Sequence, residues 1–345
     1  MSERFQFLGP GGWGTYEIDL VERRFTRVEG WSERLLVPGF VDIHIHGAFG
    51  IDFMSSLPEQ IVALADQLEQ VGYEAFLPTT VTASFYNIQQ AIARIPKHRA
   101  IVGFHLEGPF LSPKFPGAQP KRWIVGAPAR HTQWDEVLDH PSLRVITLAP
   151  ELPGSLDLAW RLAKRGVIVS MGHTNATFEQ ARAGEEAGFK HATHTYNAMR
   201  PLHHREAGTV GYALSSDSLS CELIYDRHHV CREAAALLVK NKPADKLIAI
   251  SDATMAAGMP DGSTVQMWGL TGQVENGTVR LEDGTLAGSS ITLLDAFRNL
   301  HSDFGPETAI RACCINPRID LGLTEPKVYI ELDPKLEIVN RFDVG

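Results

Sequence analysis

The feature that most constrains the fold of this 345-residue chain is a regular alternation of short apolar segments with amphipathic helical segments. Residues 58–71 show the helical period, because apolar side chains recur every three or four positions and Gly72 follows as a stop signal. Apolar strands separated by helices are typical of parallel sheets, whose strands need long crossover connections. We assign strands to residues 41–46, 75–81, 101–107, 144–148, 167–171, 190–194, 221–225 and 247–251.

Eight strands, mostly separated by helices, predict an α/β fold with a (β/α)₈ TIM-type barrel. A doubly wound open sheet is the structural alternative, but it needs a break in strand order that the sequence does not show. After the eighth strand we expect a hairpin insertion, with Asn276-Gly277 and Asp283-Gly284 as turns. The predicted helices cover residues 58–71, 84–95, 132–138, 156–164, 178–187, 233–239 and 290–300, and Pro306 begins a last helix.

The two ends of the chain have a different pattern from the middle. Residues 5–37 read as short strands broken by turns, and residues 327–332 alternate between apolar and polar side chains. Neither end can bury a strand face alone, so we expect the termini to pair into a small β-sandwich domain. The predicted division is 1–38 plus 318–345 for this domain and 39–317 for the barrel.

Charge and composition exclude several classes of function. A net charge of -9 argues against a nucleic-acid-binding surface, although a local basic pocket for an anion stays compatible with it. The first residues lack the pattern of a signal peptide, and no apolar run is long enough to cross a membrane. The four cysteines have no C-x-x-C spacing. We therefore expect reduced thiols and a cytoplasmic protein.

Polar residues collect where the predicted strands end. His44 and His46 alternate along the first strand and so point to one face. In a (β/α)₈ barrel the carboxyl ends of the strands form one ring, where catalytic residues lie. Each residue alone could be a hydrogen-bonded buried polar group, but all of them at strand ends indicate a hydrolytic metal site. The strand-end residues are His44, His46, Glu107, His173, His194 and Asp252.

Five segments carry a resemblance to a known family. They are His44-Ile45-His46 and the segments at residues 105–109, 172–177, 194–199 and 251–254. Together they resemble the amidohydrolase superfamily and, within it, the N-acetylglucosamine-6-phosphate deacetylase family. The first motif is shared across the superfamily, whereas the segments around Glu107, His173 and Tyr196 are more specific. The resemblance covers nearly the whole chain, including the split β domain.

The resemblance implies a role for each strand-end residue. Glu107, His173 and His194 would bind a divalent metal, zinc or iron, and one or two ions per subunit are compatible with the pattern. His44 and His46 bear on the second ion, because some members lack that pair and work with one metal. Asp252 would take a proton from the metal-activated water and return it to the leaving amine.

The resemblance also implies a substrate, an N-acetylated hexosamine 6-phosphate, and a homodimer. Arg205 and His229 would bind the phosphate near the dimer interface, where a guanidinium suits a phosphate dianion. Gln119 stands where some members have a histidine that polarises the carbonyl, and its amide can donate a hydrogen bond but carries no charge. The other implied substrate contacts are Asn197, Ala198, Leu286, Ala287 and Gly288.

The predicted reaction is hydrolysis of the acetamide of N-acetylglucosamine 6-phosphate to glucosamine 6-phosphate and acetate. One alternative is another amidase of the superfamily, such as a dihydroorotase-like cyclic amidase. Such enzymes usually have a metal-bridging lysine at a strand end, and here Glu107 takes a ligand place instead. The other alternative is a non-catalytic sugar-phosphate-binding barrel, which would require a decayed site.

Overall fold

The computed structural model describes residues 3–344, and a barrel of eight parallel strands lies at its centre. Six strands form one sheet, and the first two strands form another. Parallel bridges join the two sheets at both edges, between Thr79 and His105 and between Ile45 and Ala253. The predicted (β/α)₈ barrel is thus confirmed. The barrel strands are Phe40–Ile45, Tyr73–Pro78, Phe104–Glu107, Leu143–Leu148, Ile168–Met171, Phe189–Ala192, Ser220–Ile224 and Leu247–Ile250.

The barrel strands are apolar because both of their faces are buried. One set of side chains fills the barrel interior, and the other packs beneath the surrounding helices in the main hydrophobic core. The interior apolar cluster consists of Val41, Ile43, Ala75, Leu77, Val145, Ile168, Ile224, Ile248, Ile250 and Leu321.

The first helix shows why the sequence pattern was informative. Pro58–Gln70 buries Ile61, Leu64 and Leu68 on one stripe, and it ends before Gly72, whose φ of +93° favours glycine. Among residues 3–344 no helix is long and apolar enough to cross a membrane. The other α-helices are Phe85–Ala93, Asp135–Leu138, Ser155–Ala163, Phe178–Glu186, Gly208–Ser215, Arg232–Asn241, Leu293–Phe304, Pro306–Ile310 and Asn316–Asp320, with a 3₁₀ turn at Lys121–Trp123 and a π-helical turn at Arg311–Ile315.

The helix between the sixth and seventh barrel strands was not predicted. Gly208–Ser215 lies between these strands, and its first six residues are all buried. A helix buried on every side has no polar face, so its sequence lacks the 3.6-residue alternation that identifies surface helices. The missed helix completes the connection between these two strands.

The two termini pair as predicted, and their strands lie in one six-stranded sheet. The parallel pair within it joins Glu3–Gly9 to Leu35–Pro38, and Val328–Leu332 pairs antiparallel with the latter. Stacked aromatic side chains, including Phe7 and Phe25, cover one face. The exact division of the chain into domains stays a prediction. In spatial order the strands are Ile338–Asp343, Val328–Leu332, Leu35–Pro38, Glu3–Gly9, Gly12–Asp19 and Arg24–Arg27.

The insertion after the eighth barrel strand is a four-stranded antiparallel sheet. The predicted turns at Asn276-Gly277 and Asp283-Gly284 connect its last three strands. Its fourth strand is fixed to the barrel, since the Ser289 amide donates to the Asp252 carbonyl at 2.8 Å. The insertion therefore borders the barrel mouth. Its strands are Thr264–Met267, Leu270–Glu275, Thr278–Leu281 and Leu286–Ser289, and a two-stranded ribbon, Gly47–Ala48 with Ile51–Asp52, follows the first barrel strand.

Candidate metal centre at the barrel mouth

Sharp turns at the strand ends direct the polar side chains into the mouth. Glu107 ends the third barrel strand, whereas His173, His194 and Asp252 lie in turns beyond the fifth, sixth and eighth strands. The φ angles of these three residues are 45°, 31° and 46°, in the left-handed region that non-glycine residues seldom adopt. Such conformations cost about 1–3 kcal/mol each and are concentrated at functional sites.

The first cluster, which we call the Glu107 group, consists of Glu107, His173 and His194. Each histidine Nε2 lies 3.2 Å from Glu107 Oε1, and the two Nε2 atoms are 3.1 Å apart. The opposite ring nitrogens contact main-chain carbonyls, His173 Nδ1 that of Phe115 at 3.1 Å and His194 Nδ1 that of Asn197 at 3.2 Å. Nδ1–H donates to the carbonyl, so each Nε2 presents a lone pair to the centre.

The second cluster, the histidine-pair group, consists of His44, His46 and Asp252. The Nε2 atoms of His44 and His46 lie 3.3 and 3.2 Å from Asp252 Oδ1, and they are 3.2 Å from each other. Both also lie 3.4 Å from a Glu107 oxygen, so the two groups adjoin. His46 Nδ1 is 3.2 Å from the Thr79 carbonyl. The strand-end residues predicted from the sequence are thus together in one place.

Opposite charges offset the burial of these groups. Burial raises the pKa of Glu107 and Asp252, but the facing imidazoles outweigh it and hold both carboxyl pKa values below their usual range. Burial lowers the pKa of His46, and the Asp252 and Glu107 carboxylates reverse this and raise it to about 9. The same carboxylates raise the pKa of His44 well above its usual value. The mouth therefore holds two buried anions that require positive charge nearby.

The donor set fits a divalent metal ion. Imidazole nitrogens and carboxylate oxygens are the ligands that zinc and similar ions take in proteins. In the Glu107 group, two Nε2 lone pairs face each other at 3.1 Å, an arrangement that is repulsive unless a cation lies between them. In both groups the ligand atoms lie within 4.8 Å of one another.

Two neighbouring polar residues support the groups. The Gln119 amide donates to Glu107 Oε2 at 2.6 Å and accepts from the Thr82 amide at 2.8 Å. His105 lies deeper, with Nδ1 bonded to the Ile43 carbonyl and Nε2 to the Thr147 hydroxyl. Both His105 nitrogens are thus engaged below the site. Gln119 has a role that its sequence position did not suggest, because it orients a candidate metal ligand.

A cavity of about 210 Å³ opens over the ligand groups. Gly288 approaches the barrel closely, since a Cβ there would lie 2.9 Å from the Asp252 carbonyl. Two predicted substrate residues lie apart from the cavity: Arg205 is exposed and bonded to His204, and Ala287 packs within the insertion. The predicted residues that line it are His46, Glu107, Gln119, His173, His194, Asn197, Ala198, His229, Asp252, Leu286 and Gly288.

Two further residues beside the site were missed in the sequence. Trp268, at a hairpin tip of the insertion, donates from its indole to Asp52 at 2.9 Å, and its ring centre is 5.3 Å from that of His46. Glu222 is buried in the middle of the seventh barrel strand. The sequence around the Trp268-Gly269 turn has no pattern that indicates a functional role. Glu222 could have been identified, because a carboxylate within an apolar strand is unusual.

Comparisons with known proteins agree with this geometry. The sequence model of the amidohydrolase family matches residues 35–331. The N-acetylglucosamine-6-phosphate deacetylase of Bacillus subtilis is 37% identical over 284 residues, which are 79% of this chain and 71% of the relative. The N-acetylgalactosamine-6-phosphate deacetylase of Escherichia coli O157:H7 is 36% identical over 298 residues, 84% of this chain and 78% of the relative.

Solved structures give the same result. N-acetylglucosamine-6-phosphate deacetylase from Thermotoga maritima superposes with a TM-score of 0.88 at 31% identity, covering 100% of this chain and 98% of that chain. The Mycobacterium smegmatis deacetylase, in complex with N-acetyl-D-glucosamine-6-phosphate, superposes with a TM-score of 0.87 at 28% identity, covering 97% and 94%. The similarity therefore includes the barrel, the insertion and the terminal sheet.

Proposed function

The chain belongs to the amidohydrolase family, among the N-acetylglucosamine-6-phosphate deacetylases, and we propose that it hydrolyses N-acetylglucosamine 6-phosphate to glucosamine 6-phosphate and acetate. The observation that carries the proposal is the position of Asp252. Its carboxylate belongs to the histidine-pair group and lines the same small cavity as the Glu107 group. This arrangement suits attack of water on an amide carbonyl held over the site.

The ligand groups define where a metal would act. Glu107, His173 and His194 would hold one divalent cation, zinc or iron, and His44 with His46 would hold a second beside Asp252. A cation there supplies Lewis-acid polarisation of a carbonyl and lowers the pKa of water. Gln119 keeps Glu107 in place through one N–H of its amide. The second N–H of the same amide would donate to a carbonyl oxygen that enters the cavity.

Asp252 would perform the proton transfers. Its pKa lies below the usual range because His44 and His46 outweigh burial, so the carboxylate is ionised at neutral pH and can accept a proton. As water attacks, the new C–O bond forms and one water proton passes to Asp252. The proton then moves to the amide nitrogen as the C–N bond breaks, which releases acetate and the amino sugar.

The cavity walls would select the sugar. Asn197 and Ala198 line it from the turn after the sixth strand, and Leu286 and Gly288 line it from the insertion. We assign these residues to sugar contacts. Ala287, which packs within the insertion, would act through the backbone that it shares with its neighbours.

His229 and Arg205 would bind the phosphate. His229 lines the cavity, and its Nδ1 donates to Asp226 at 2.6 Å, which leaves Nε2 for a ligand. Arg205 is exposed outside the cavity of its own chain. We propose a homodimer in which Arg205 of one protomer completes the phosphate site of the other. A phosphorylated amino sugar is a metabolite of the cytoplasm, which we propose as the location.

The test is acetate release from a panel of N-acetylated sugars with and without the 6-phosphate. N-acetylgalactosamine 6-phosphate belongs in the panel, because the Escherichia coli relative carries that name at a similar identity. We expect chelation to stop turnover and Arg205→Met to lower kcat/KM by about 10- to 100-fold for phosphorylated sugars only, as loss of a charge-assisted hydrogen bond predicts. Arg182→Met, a surface change beside Glu179, is the matched control. Equal activity on unphosphorylated sugars would contradict the phosphate assignment.

A further inference from the structure

A buried carboxylate lies beneath the histidine-pair group. Glu222 is fully buried in the strand Ser220–Ile224, inside the barrel. Its Oε1 accepts from His191 Nδ1 at 3.1 Å and from the Ser170 hydroxyl at 3.3 Å. Its other oxygen, Oε2, has no hydrogen-bond partner among residues 3–344. A buried carboxylate oxygen without a partner is costly, so its nearest donor deserves identification.

That donor is on His44. His44 Nδ1 is also buried without a partner in the described chain, and it lies 3.7 Å from Glu222 Oε2. The two unsatisfied atoms are therefore complementary, one a ring nitrogen that can carry a proton and the other a carboxylate oxygen. A shift of less than 1 Å would bring them into a normal hydrogen bond.

The other candidate ligand histidines show the same arrangement with a different acceptor. Nδ1 of His46, His173 and His194 each lies within 3.2 Å of a main-chain carbonyl. His44 alone among the four lacks such a carbonyl. Metal-binding histidines almost always donate their second ring N–H to a carbonyl or carboxylate, which fixes the tautomer and the ring orientation.

We propose that Glu222 is a positioning residue for the metal centre, accepting the His44 Nδ1 proton so that the Nε2 lone pair points at the ion of the histidine-pair group. The inference rests on the ligand set of the proposed function. His191 completes the unit, because its two ring nitrogens contact Glu222 and Asp320 at 3.1 and 3.0 Å. Because both contacts are to carboxylates, both nitrogens of the His191 ring must carry a proton. His191 is then an imidazolium, whose positive charge balances the negative charge of Glu222.

The test is zinc binding by the full-length protein, titrated against a chromophoric chelator after metal removal. In Glu222→Gln we expect the second zinc to bind about 10- to 100-fold more weakly, the usual effect of losing an outer hydrogen-bond partner, and the first zinc to bind as in the wild type. Glu331→Gln is the matched control, because it neutralises another buried carboxylate, one that accepts from Arg34 in the terminal sheet and not at the barrel mouth. Wild-type affinity for both ions in Glu222→Gln would overturn the proposal.

A second measurement does not require Glu222→Gln to fold. Long-range ¹H–¹⁵N spectra of zinc-loaded wild-type protein with labelled histidines report which nitrogen of each ring carries the proton, and His44→Gln assigns the signals. We expect the proton on His44 Nδ1, and a proton on Nε2 would refute the inference. The inference would also be refuted if the wild type bound one zinc and His44→Gln bound the same amount with the same affinity. Failure to release acetate despite two zinc sites would instead contradict the proposed function alone.

Discussion

The two ligand groups at the barrel mouth are supported in different ways. In the Glu107 group, both histidines donate to carbonyls of surrounding loops, and a loop amide from Gln119 holds the glutamate. In the histidine-pair group, His44 projects from a strand above the buried Glu222. Loop geometry thus supports the Glu107 group, whereas the barrel interior supports His44 of the histidine-pair group. Variants can therefore perturb the two separately.

Asp252, the carboxylate of the histidine-pair group, should show the largest effect on turnover. Asp252→Asn keeps the size of the side chain but removes its ability to accept a proton, so we expect kcat to fall by about 10²- to 10⁴-fold. Bound metal should be retained in the Glu107 group, which does not contain Asp252. Acetate release and metal analysis measure the two quantities. The control is Asp303→Asn, which changes a carboxylate that accepts from Arg227 and does not line the cavity. Undiminished turnover would exclude Asp252 as the general base.

Removing one histidine from each group compares them directly. We expect His194→Gln to weaken the first zinc by more than about 100-fold and to lower acetate release by a similar factor at limiting zinc, because direct ligands matter more than outer partners. His44→Gln should weaken only the second zinc and leave measurable turnover, because the Glu107 group can hold one ion alone. Metal content and acetate release in both variants test this order. Equal losses in the two variants would show that the groups form one inseparable site.

Gln119 tests the loop support of the Glu107 group. Gln119→Leu removes the donor to Glu107 Oε2 and leaves the side-chain volume similar, so we expect the first zinc to bind about 10- to 100-fold more weakly. Gln119→Glu would place a second carboxylate beside Glu107 and should be worse. Chelator competition measures both variants. If zinc affinity were unchanged while kcat fell, Gln119 would act on the substrate carbonyl instead.

The sequence predicted the candidate ligands because each lies at the end of an apolar run, and a barrel brings such ends together. His173 and His194 are examples, although the sixth strand ends at Ala192, earlier than predicted. Contacts between distant segments could not be predicted in the same way. Trp268 reaches His46 through a hairpin tip, and Gln119 reaches Glu107 through a proline-rich loop. Neither path has a periodic pattern that fixes where the side chain arrives.

The last prediction concerns the pH dependence of stability rather than turnover. Burial lowers the pKa of His191, but hydrogen bonds to Asp320 and Glu222 raise it to about 9. Stability from this imidazolium is complete below the unfolded pKa of about 6.5 and is lost as pH rises through about 9. We therefore expect the free energy of unfolding of the metal-free wild type, measured in urea, to fall by up to about 3 kcal/mol more than that of His191→Gln between pH of about 6.5 and 9.

His98→Gln gives the matched comparison, because His98 contacts Asp66 near the surface and lies outside the barrel. Its stability should follow the wild type over the same pH range. The raised pKa values of His44 and His46 add a pH dependence that the wild type and His191→Gln share, so the difference between these two proteins reports on His191. If the stability of His191→Gln and of the wild type declined in parallel, His191 would be neutral in the folded protein. One of the two carboxyl groups that it contacts would then have to be protonated and donate to the ring nitrogen.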